Sequence, residues 1–165
     1  ARRRSISLTD EIAAELPQIL SNSDRLAQVL FNLVGNAVKY VPDGGSVLVR
    51  AAVCRPGTCS QLQRIRERSS DPRLQGDGEC VVIEVIDDGP GIATDELGRV
   101  FEEFFRGRLT DRSTKGSGLG LAISSRLTRL LGGALEVDST PGEGSVFYLI
   151  LPIEAIGPEE GSPQT

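Results

Sequence analysis

Residues 80–91, Cys-Val-Val-Ile-Glu-Val-Ile-Asp-Asp-Gly-Pro-Gly, decide the fold of this chain. The segment alternates like a strand, and Asp87 continues the apolar face of Val81, Ile83 and Val85 in phase. An aspartate on a core face is costly unless a hydrogen-bond donor meets it. The glycines that follow let the backbone turn sharply and come close to a flat ligand. We therefore expect Asp87 at the bottom of an apolar pocket, where it could bind an amino group such as that of adenine; a purely structural role in the turn stays open, above all for Asp88.

The segments on either side indicate a two-layer α/β sandwich. A helix begins between Ser21 and Asp24, carries apolar residues at helical spacing, and ends at Pro42. Further strands at Ser46–Val53, Ala134–Ser139 and Ser145–Leu151 alternate with helical segments. The expected fold is a mixed β-sheet covered on one face by about three helices.

The first long helix has a polar side that could bind a ligand. Asn32, Asn36 and Lys39 fall within roughly 60° of one another at 100° per residue, and Tyr40 lies at the edge of that side. Amide oxygens are possible ligands of Mg²⁺, a lysine can meet a phosphate, and a tyrosine can stack on a base. Taken alone, these residues favour an ordinary solvated face.

A glycine-rich run, Gly116-Ser-Gly-Leu-Gly120, precedes another apolar helix. Free amides at a helix N-terminus form an anion site. The spacing is not that of a P-loop, and the run does not follow a strand, which argues against a dinucleotide-binding fold.

Composition excludes several functions. The chain has 165 residues, a net charge of −5, and no histidine. We expect no nucleic-acid binding and no membrane contact, since no apolar run approaches the length of a membrane span. Residues 54–79 are polar and are predicted to form a long surface loop; they hold or border Cys54, Cys59 and Cys80, for which unpaired thiols are favoured over a redox-sensitive pair.

Five motifs together resemble those of sensor histidine kinases, within the superfamily that also holds the gyrase and chaperone ATPases. They appear in the family's order: the N box at Asn32–Ala37, the first glycine box at Asp87–Ile92, the F box at Val100–Arg106, the second glycine box at Gly116–Leu121, and the closing hairpin turn at Thr140–Phe147. The chain departs from the family at residues 54–79, an insertion where these kinases usually have a much shorter turn.

The resemblance implies the Bergerat ATP-binding fold and a set of roles. Asn36 would hold Mg²⁺ with Asn32 beside it, Lys39 and Arg106 would approach the phosphates, and Tyr40 and Asp87 would contact adenine. Residues 106–116 would be a mobile ATP lid, which Phe101, Phe104 and Phe105 would anchor while helping to dock the histidine-bearing helices. The remaining nucleotide-binding residues would be Gly89, Gly91, Ile92, Lys115, Gly116, Ser117, Gly118, Leu119 and Gly120.

The resemblance further implies the activity and its partners. Such a domain binds Mg·ATP and transfers the γ-phosphate to a histidine on a separate dimerisation domain, dimeric in the full-length protein, for relay to a response regulator. We expect residues 1–20 to form a lead-in strand and linker from that domain, 21–156 to form the catalytic domain, and 157–165 to form a flexible tail. The expected location of this domain is the cytoplasm, and the parent protein could carry a membrane anchor.

Three other functions stay open. A gyrase-like or chaperone-like ATPase would carry a glutamate as water-activating base where Asn32 stands. A serine-directed kinase related to anti-sigma factors would be a smaller, stand-alone protein, whereas this chain starts at Ala1 rather than Met. A module that senses ATP without transferring phosphate would keep the same nucleotide-binding motifs.

Overall fold

The computed structural model describes residues 5–19, 21–55, 59–76, 78–108 and 117–153. These residues form one mixed five-stranded sheet in the order β1-β2-β3-β5-β4. Its strands are β1 (Ser7–Ile12), β2 (Ser46–Cys54), β3 (Cys80–Asp87), β4 (Ala134–Thr140) and β5 (Gly144–Pro152). β1 pairs in parallel with β2, and all other neighbours are antiparallel. The mixed sheet confirms the predicted architecture.

Two α-helices pack on one face of this sheet, which we call the inner face. They are α1 (Ser23–Tyr40) and α3 (Gly120–Leu130), and the 3₁₀ helix Thr94–Arg99 joins them there. The side chain of Asn22 caps α1 by accepting a hydrogen bond from the amide of Arg25 at 2.9 Å. The core beneath the helices is built from the apolar residues of both layers: Val29, Leu33, Ala37, Val41, Val47, Val85, Val100, Leu135, Val137, Phe147, Leu149 and Leu151.

The prediction of a surface loop over residues 54–79 was wrong. A helix, α2 (Ser60–Arg68), and a short 3₁₀ helix (Pro72–Leu74) lie within it. Leu62, Ile65 and Leu74 are almost fully buried against the outer face of the sheet, opposite α1 and α3. The segment offers only these few apolar side chains among arginines and glutamines, too few for a recognisable period. Its helix is stabilised by tertiary packing rather than by its own propensity.

The expectation of unpaired thiols was also wrong for two of the three cysteines. Cys54, the last residue of β2, forms a disulfide with Cys59, with their Cα atoms 5.3 Å apart. Cys80 is a buried free thiol, and burial raises its pKa. The disulfide connects the end of β2 to the start of α2 and so fixes where the inserted segment leaves the sheet.

None of the helices in the described ranges combines the length and the apolarity that crossing a bilayer requires.

Candidate functional site

A cavity of about 280 Å³ lies between α1, the end of β3 and the segment that leads into α3. The predicted site residues that line it are Asn32, Asn36, Lys39, Tyr40, Asp87, Gly91, Ile92, Arg106, Ser117, Gly118 and Gly120. Gly89 and Leu119 are adjacent in sequence to residues that line the cavity, but they do not line it themselves. Lys115 and Gly116 lie outside the described residues, as does most of the predicted lid, residues 109–116.

Asp87 lies on the buried side of this cavity, as the strand alternation predicted. It is 9% exposed, and its carboxylate accepts a hydrogen bond of 2.9 Å from the amide of Gly89. Burial raises the pKa of this carboxyl, while the backbone amides of Gly89 and Ser145 act in the opposite direction. A half-satisfied carboxylate on a cavity wall leaves acceptor capacity that a ligand N–H could use.

Asp88, the next residue, points away and has a structural role. Its two carboxylate oxygens accept hydrogen bonds from the amide of Ser46 at 2.8 and 2.9 Å, and one also accepts from the Ser46 hydroxyl at 2.8 Å. The Ser46 amide lowers the pKa of Asp88. This aspartate therefore ties the end of β3 to the start of β2.

The glycine turn after β3 packs flush against the turn between β4 and β5. Gly91 has φ +70°, and a Cβ there would collide with the carbonyl of Thr140. The amide of Gly142 donates to the carbonyl of Pro90 at 2.8 Å, and the amide of Ile92 donates to the Ser139 hydroxyl at 2.8 Å. The two turns thus form one corner of the cavity, and a side chain at position 91 would prevent this close packing.

The polar side of α1 forms the opposite wall. The Asn32 amide nitrogen donates to the Ser124 hydroxyl on α3 at 2.7 Å, so this side chain joins the two helices. Gly120 leaves room for Asn32, since a Cβ at 120 would overlap the amide oxygen. Lys39 donates to the Tyr40 hydroxyl at 3.1 Å, and its ammonium lies 4.7 Å from the centre of the Tyr40 ring.

The oxygen donors on this wall fit a magnesium ion that takes only some of its ligands from the protein and the others from a bound phosphate. Among the described residues no group of three His, Cys, Asp or Glu could hold a metal. Asn36 is half-buried on the wall, and Mg²⁺ commonly takes one or two protein oxygens and fills its other positions with substrate phosphates and water.

The two ends of the predicted lid meet at a neck. The amide of Phe104, at φ 63°, donates to the carbonyl of Gly118 at 3.1 Å. Gly118 has φ +72°, and a Cβ there would lie 2.8 Å from the Phe104 carbonyl carbon. Of the three aromatic residues expected to anchor the lid, Phe101 packs on the core, Phe105 lines the cavity, and Phe104 is 69% exposed.

Sequence reasoning missed several residues of the cavity wall. Glu96 was not among the predicted site residues, yet it is 7% exposed and lines the cavity. No periodic signal marks it, because it lies in a 3₁₀ helix of six residues. Phe105 and Gly107 were expected only as a lid anchor and as part of the lid, and both line the cavity. The other missed wall residues are Ala37, Pro90, Val100, Leu121, Ser145 and Phe147.

Comparison with known proteins gives matches over most of the chain. Residues 21–155 match the family described as histidine kinase-, DNA gyrase B- and HSP90-like ATPases. The adaptive-response sensory kinase SasA of Prochlorococcus marinus is 34% identical over 150 residues, 91% of this chain and 34% of SasA. The non-motile and phage-resistance protein of Caulobacter vibrioides is 36% identical over 140 residues, 84% of this chain and 14% of that protein. The chain spans about a third of the length of the SasA relatives.

Solved structures agree with the sequence matches. The mycobacterial sensor histidine kinase MprB is 32% identical, with a TM-score of 0.66 over 89% of this chain and 83% of that one. Full-length ShkA, solved in complex with AMPPNP, is 35% identical, with a TM-score of 0.64 over 89% of this chain and 25% of ShkA. This similarity in sequence and in structure covers most of the chain. It shows that the chain belongs to the histidine kinase-, DNA gyrase B- and HSP90-like ATPases, and that it is a catalytic domain of the kind found in sensor histidine kinases.

Proposed function

We propose that this chain binds Mg·ATP and transfers the γ-phosphate to a histidine on a separate dimerisation domain of its parent kinase, for relay to a response regulator. The observation that carries this proposal is the convergence on one cavity of a buried carboxylate, an amide-lined helix face and a glycine-rich helix start. ShkA, a structural relative, has been solved with an ATP analogue, which supports a nucleotide as the ligand here.

The side chains divide the ligand between them. Asp87 would accept a hydrogen bond from the adenine amino group, and Tyr40 would face the ring. At the other end of the cavity Lys39 and Arg106 would neutralise the phosphates, and the amides of Ser117 to Gly120 would face their oxygens at the N-terminus of α3.

Magnesium would be held by Asn36, with Asn32 beside it, and would supply charge neutralisation on the transferring phosphoryl group. The protein residues then contribute position and complementary charge, since phosphoryl transfer needs little covalent chemistry from the enzyme.

The contacts of Asn32 argue against the hydrolytic alternative. An amide cannot take a proton from water, and the amide nitrogen of Asn32 is already bound to Ser124 at 2.7 Å. A histidine acceptor brings its own lone pair and needs no such base. The chain has no histidine, so the acceptor must come from another domain.

The proposal extends to the rest of the parent protein. We place the catalytic domain at residues 21–156 and a tail at 157–165. Residues 1–20 supply the lead-in strand and linker, and that strand, β1, pairs with β2 at the edge of the domain's sheet. The parent would act as a dimer in the cytoplasm, free or membrane-anchored, with its histidine domain and a response regulator as partners and without nucleic acid.

The test uses γ-labelled ATP with this chain, alone and together with the parent's histidine-bearing helical hairpin. We expect slow phosphate release by the chain alone and an acid-labile, base-stable label on the hairpin. A hairpin with its histidine replaced by glutamine should stay unlabelled.

Other outcomes identify the alternatives. Fast turnover that the hairpin does not alter would favour an ATPase. An acid-stable label would favour a serine-directed kinase. Tight binding with neither turnover nor transfer would favour an ATP-sensing module.

A further inference from the structure

A buried carboxylate without an assigned role lies on the cavity wall. Glu96 is 7% exposed, although it belongs to a short 3₁₀ helix at the protein surface. Burying a carboxylate is costly unless hydrogen-bond donors meet it. The partners of Glu96 therefore indicate what it is for.

Those partners belong to one residue of the segment that leaves toward the lid. The two carboxylate oxygens of Glu96 accept hydrogen bonds from the backbone amide of Arg108, both at 3.2 Å. One oxygen also accepts from Nε of the Arg108 guanidinium at 3.1 Å. Glu96 thus holds the main chain at residue 108, and not only a side chain.

The neighbouring Asp95 offers a natural comparison. Its carboxylate side chain is 69% exposed and accepts hydrogen bonds from the guanidinium of Arg108 at 2.5 Å. Exposed ion pairs of this kind contribute little, because water and salt screen them. Two adjacent acidic residues therefore meet the same arginine, but only Glu96 reaches its backbone.

A second anchor lies just before this point in the chain. Phe104 is held at the neck by its hydrogen bond to Gly118, in a conformation with positive φ that its surroundings enforce. Arg106 and Gly107, which both line the cavity, lie between the neck and the residue that Glu96 holds. The backbone on either side of Arg106 is therefore fixed within two residues.

We propose that Glu96 is a positioning residue for phosphoryl transfer: by holding the Arg108 amide, it sets Arg106 toward the phosphate end of the cavity before nucleotide binds. The inference rests on the proposed function, because it assigns a purpose to Arg106 in that reaction. Charge placed in advance lowers the barrier more than charge that must be ordered during the step. We call the contact between the Glu96 carboxylate and the Arg108 amide the clamp. Its loss should slow phosphate transfer more than it weakens ATP binding.

The first experiment compares Glu96→Gln with Asp95→Asn, each of which removes one negative charge beside Arg108. With the histidine-bearing hairpin as acceptor, we expect Glu96→Gln to lower the transfer rate about 10-fold, while the Kd for ATP changes less than about 3-fold. Asp95→Asn should change the rate less than about 2-fold. Arg108→Ala keeps the backbone amide and should lose less than Glu96→Gln. Equal losses for Glu96→Gln and Asp95→Asn would overturn the proposal.

A double-mutant cycle separates positioning from a general loss of structure. If Glu96 acts through Arg106, then Glu96→Gln should have almost no further effect on transfer in an Arg106→Ala background. Additive losses would overturn the proposal. Glu96→Asp retains the charge with a shorter reach and replaces Glu96→Gln in the cycle if the glutamine variant does not fold.

Hydrogen exchange gives a result that does not depend on transfer. In the nucleotide-free chain the Arg108 amide should exchange at least about 10-fold faster in Glu96→Gln than in the parent or in Asp95→Asn. Unchanged exchange of the Arg108 amide in Glu96→Gln would overturn the proposal that Glu96 holds this amide. A different outcome would refute the proposed function instead. In that case Glu96→Gln speeds exchange of the Arg108 amide, but the unsubstituted chain transfers no phosphate to the hairpin.

Discussion

At the scale of single residues, two adjacent aspartates at the end of β3 have opposite environments. Asp87 faces the cavity, and burial raises its pKa, whereas Asp88 accepts three hydrogen bonds from Ser46, which lower its pKa. Successive side chains of a strand point to opposite faces. The carboxylate of Asp87 therefore faces the ligand cavity, whereas that of Asp88, one residue later, has a structural role. Substitutions at the two positions should therefore have separable effects.

The first prediction concerns nucleotide affinity. Asp87→Asn should weaken ATP binding by about 1–3 kcal/mol, because the new amide can turn a donor toward the adenine amino group. Asp88→Asn should change the affinity far less and instead destabilise the fold, since it disturbs the contacts with Ser46. Titration calorimetry with ATP measures the first effect, and urea unfolding measures the second. Equal losses of affinity in the two variants would refute the role given to Asp87.

The sequence predicted the placement of Asp87 but not that of Glu96, and the difference has a physical cause. Asp87 lies in a strand of eight residues whose alternation fixes its face. Glu96 is buried by tertiary contacts with Arg108, twelve positions away, and nothing local requires that pairing. Roles that depend on a neighbour brought in by folding leave no pattern in the sequence around them.

At the scale of elements, α2 is the feature that the sequence did not reveal. It depends on Leu62 and Ile65, which pack with Leu74 on the outer face of the sheet. The outward residues of the strands beneath it, Val82 and Ile150, are apolar and buried as well. A strand that is apolar on both faces indicates cover on both sides, and that signal in β3 was available before the structure.

The second prediction tests this packing. Leu62→Ala should lower the free energy of unfolding by about 2–5 kcal/mol, the usual cost of truncating a fully buried leucine. Gln63→Ala, one position along on the exposed side of the same helix, should change it by less than about 0.5 kcal/mol. Chemical denaturation of both variants provides the measurement. A small effect at Leu62 would mean that the inserted segment does not pack on the sheet.

The third prediction concerns the lid. Saturating Mg·ATP should slow hydrogen exchange across residues 106–116, because Arg106 and the amides near Gly118 would bind phosphate. Peptides from β4 and β5 far from the cavity serve as internal controls and should change little. Equal protection with and without nucleotide would contradict the assignment of a lid to this segment.

At the scale of the whole molecule, the pH dependence of stability should combine opposing contributions. The Arg73 side chain lowers the pKa of Asp71, and the Ser46 amide lowers that of Asp88, so their stabilisation is present above the unfolded pKa of about 3.8 and is lost as pH falls. Burial raises the pKa of Asp87, so its contribution is present below 3.8 and is lost as pH rises through the folded pKa. The chain has no histidine to add a transition between pH 6 and 8.

The fourth prediction follows from those signs. Asp87→Asn should be more stable than the parent at neutral pH and should lose the decline above pH 3.8, while binding ATP more weakly. Asp88→Asn should be less stable than the parent at neutral pH, with the difference shrinking in acid. Urea unfolding from pH 3 to 8 gives the curves. A less stable Asp87→Asn at pH 7 would show that the buried carboxylate contributes to the fold instead of opposing it.

Strands β2 to β5 and helices α1 and α3 were predictable because each has a clear period, whereas α2 has none and was missed. The mixed sheet followed from strands that alternate with helices. The paired cysteines were not predictable from an odd count, since pairing needed the return of the chain at Cys59. The cavity wall was predictable where a motif assigns a ligand-binding role to a residue. It was not predictable for Ser145 and Phe147, which belong to the hairpin motif but carry no such role and enter the wall from β5.

The inserted segment also limits how this domain can change. Its removal would expose Cys80, Val82 and Ile150 on the outer face, so a shorter homologous turn could be accepted only with polar replacements on two strands, β3 and β5. The reverse holds for a relative without the segment, whose solvated sheet face would give such an insertion nothing to pack on. Exchange of this region between kinases, by recombination or by design, should therefore succeed only when the facing strands travel with it.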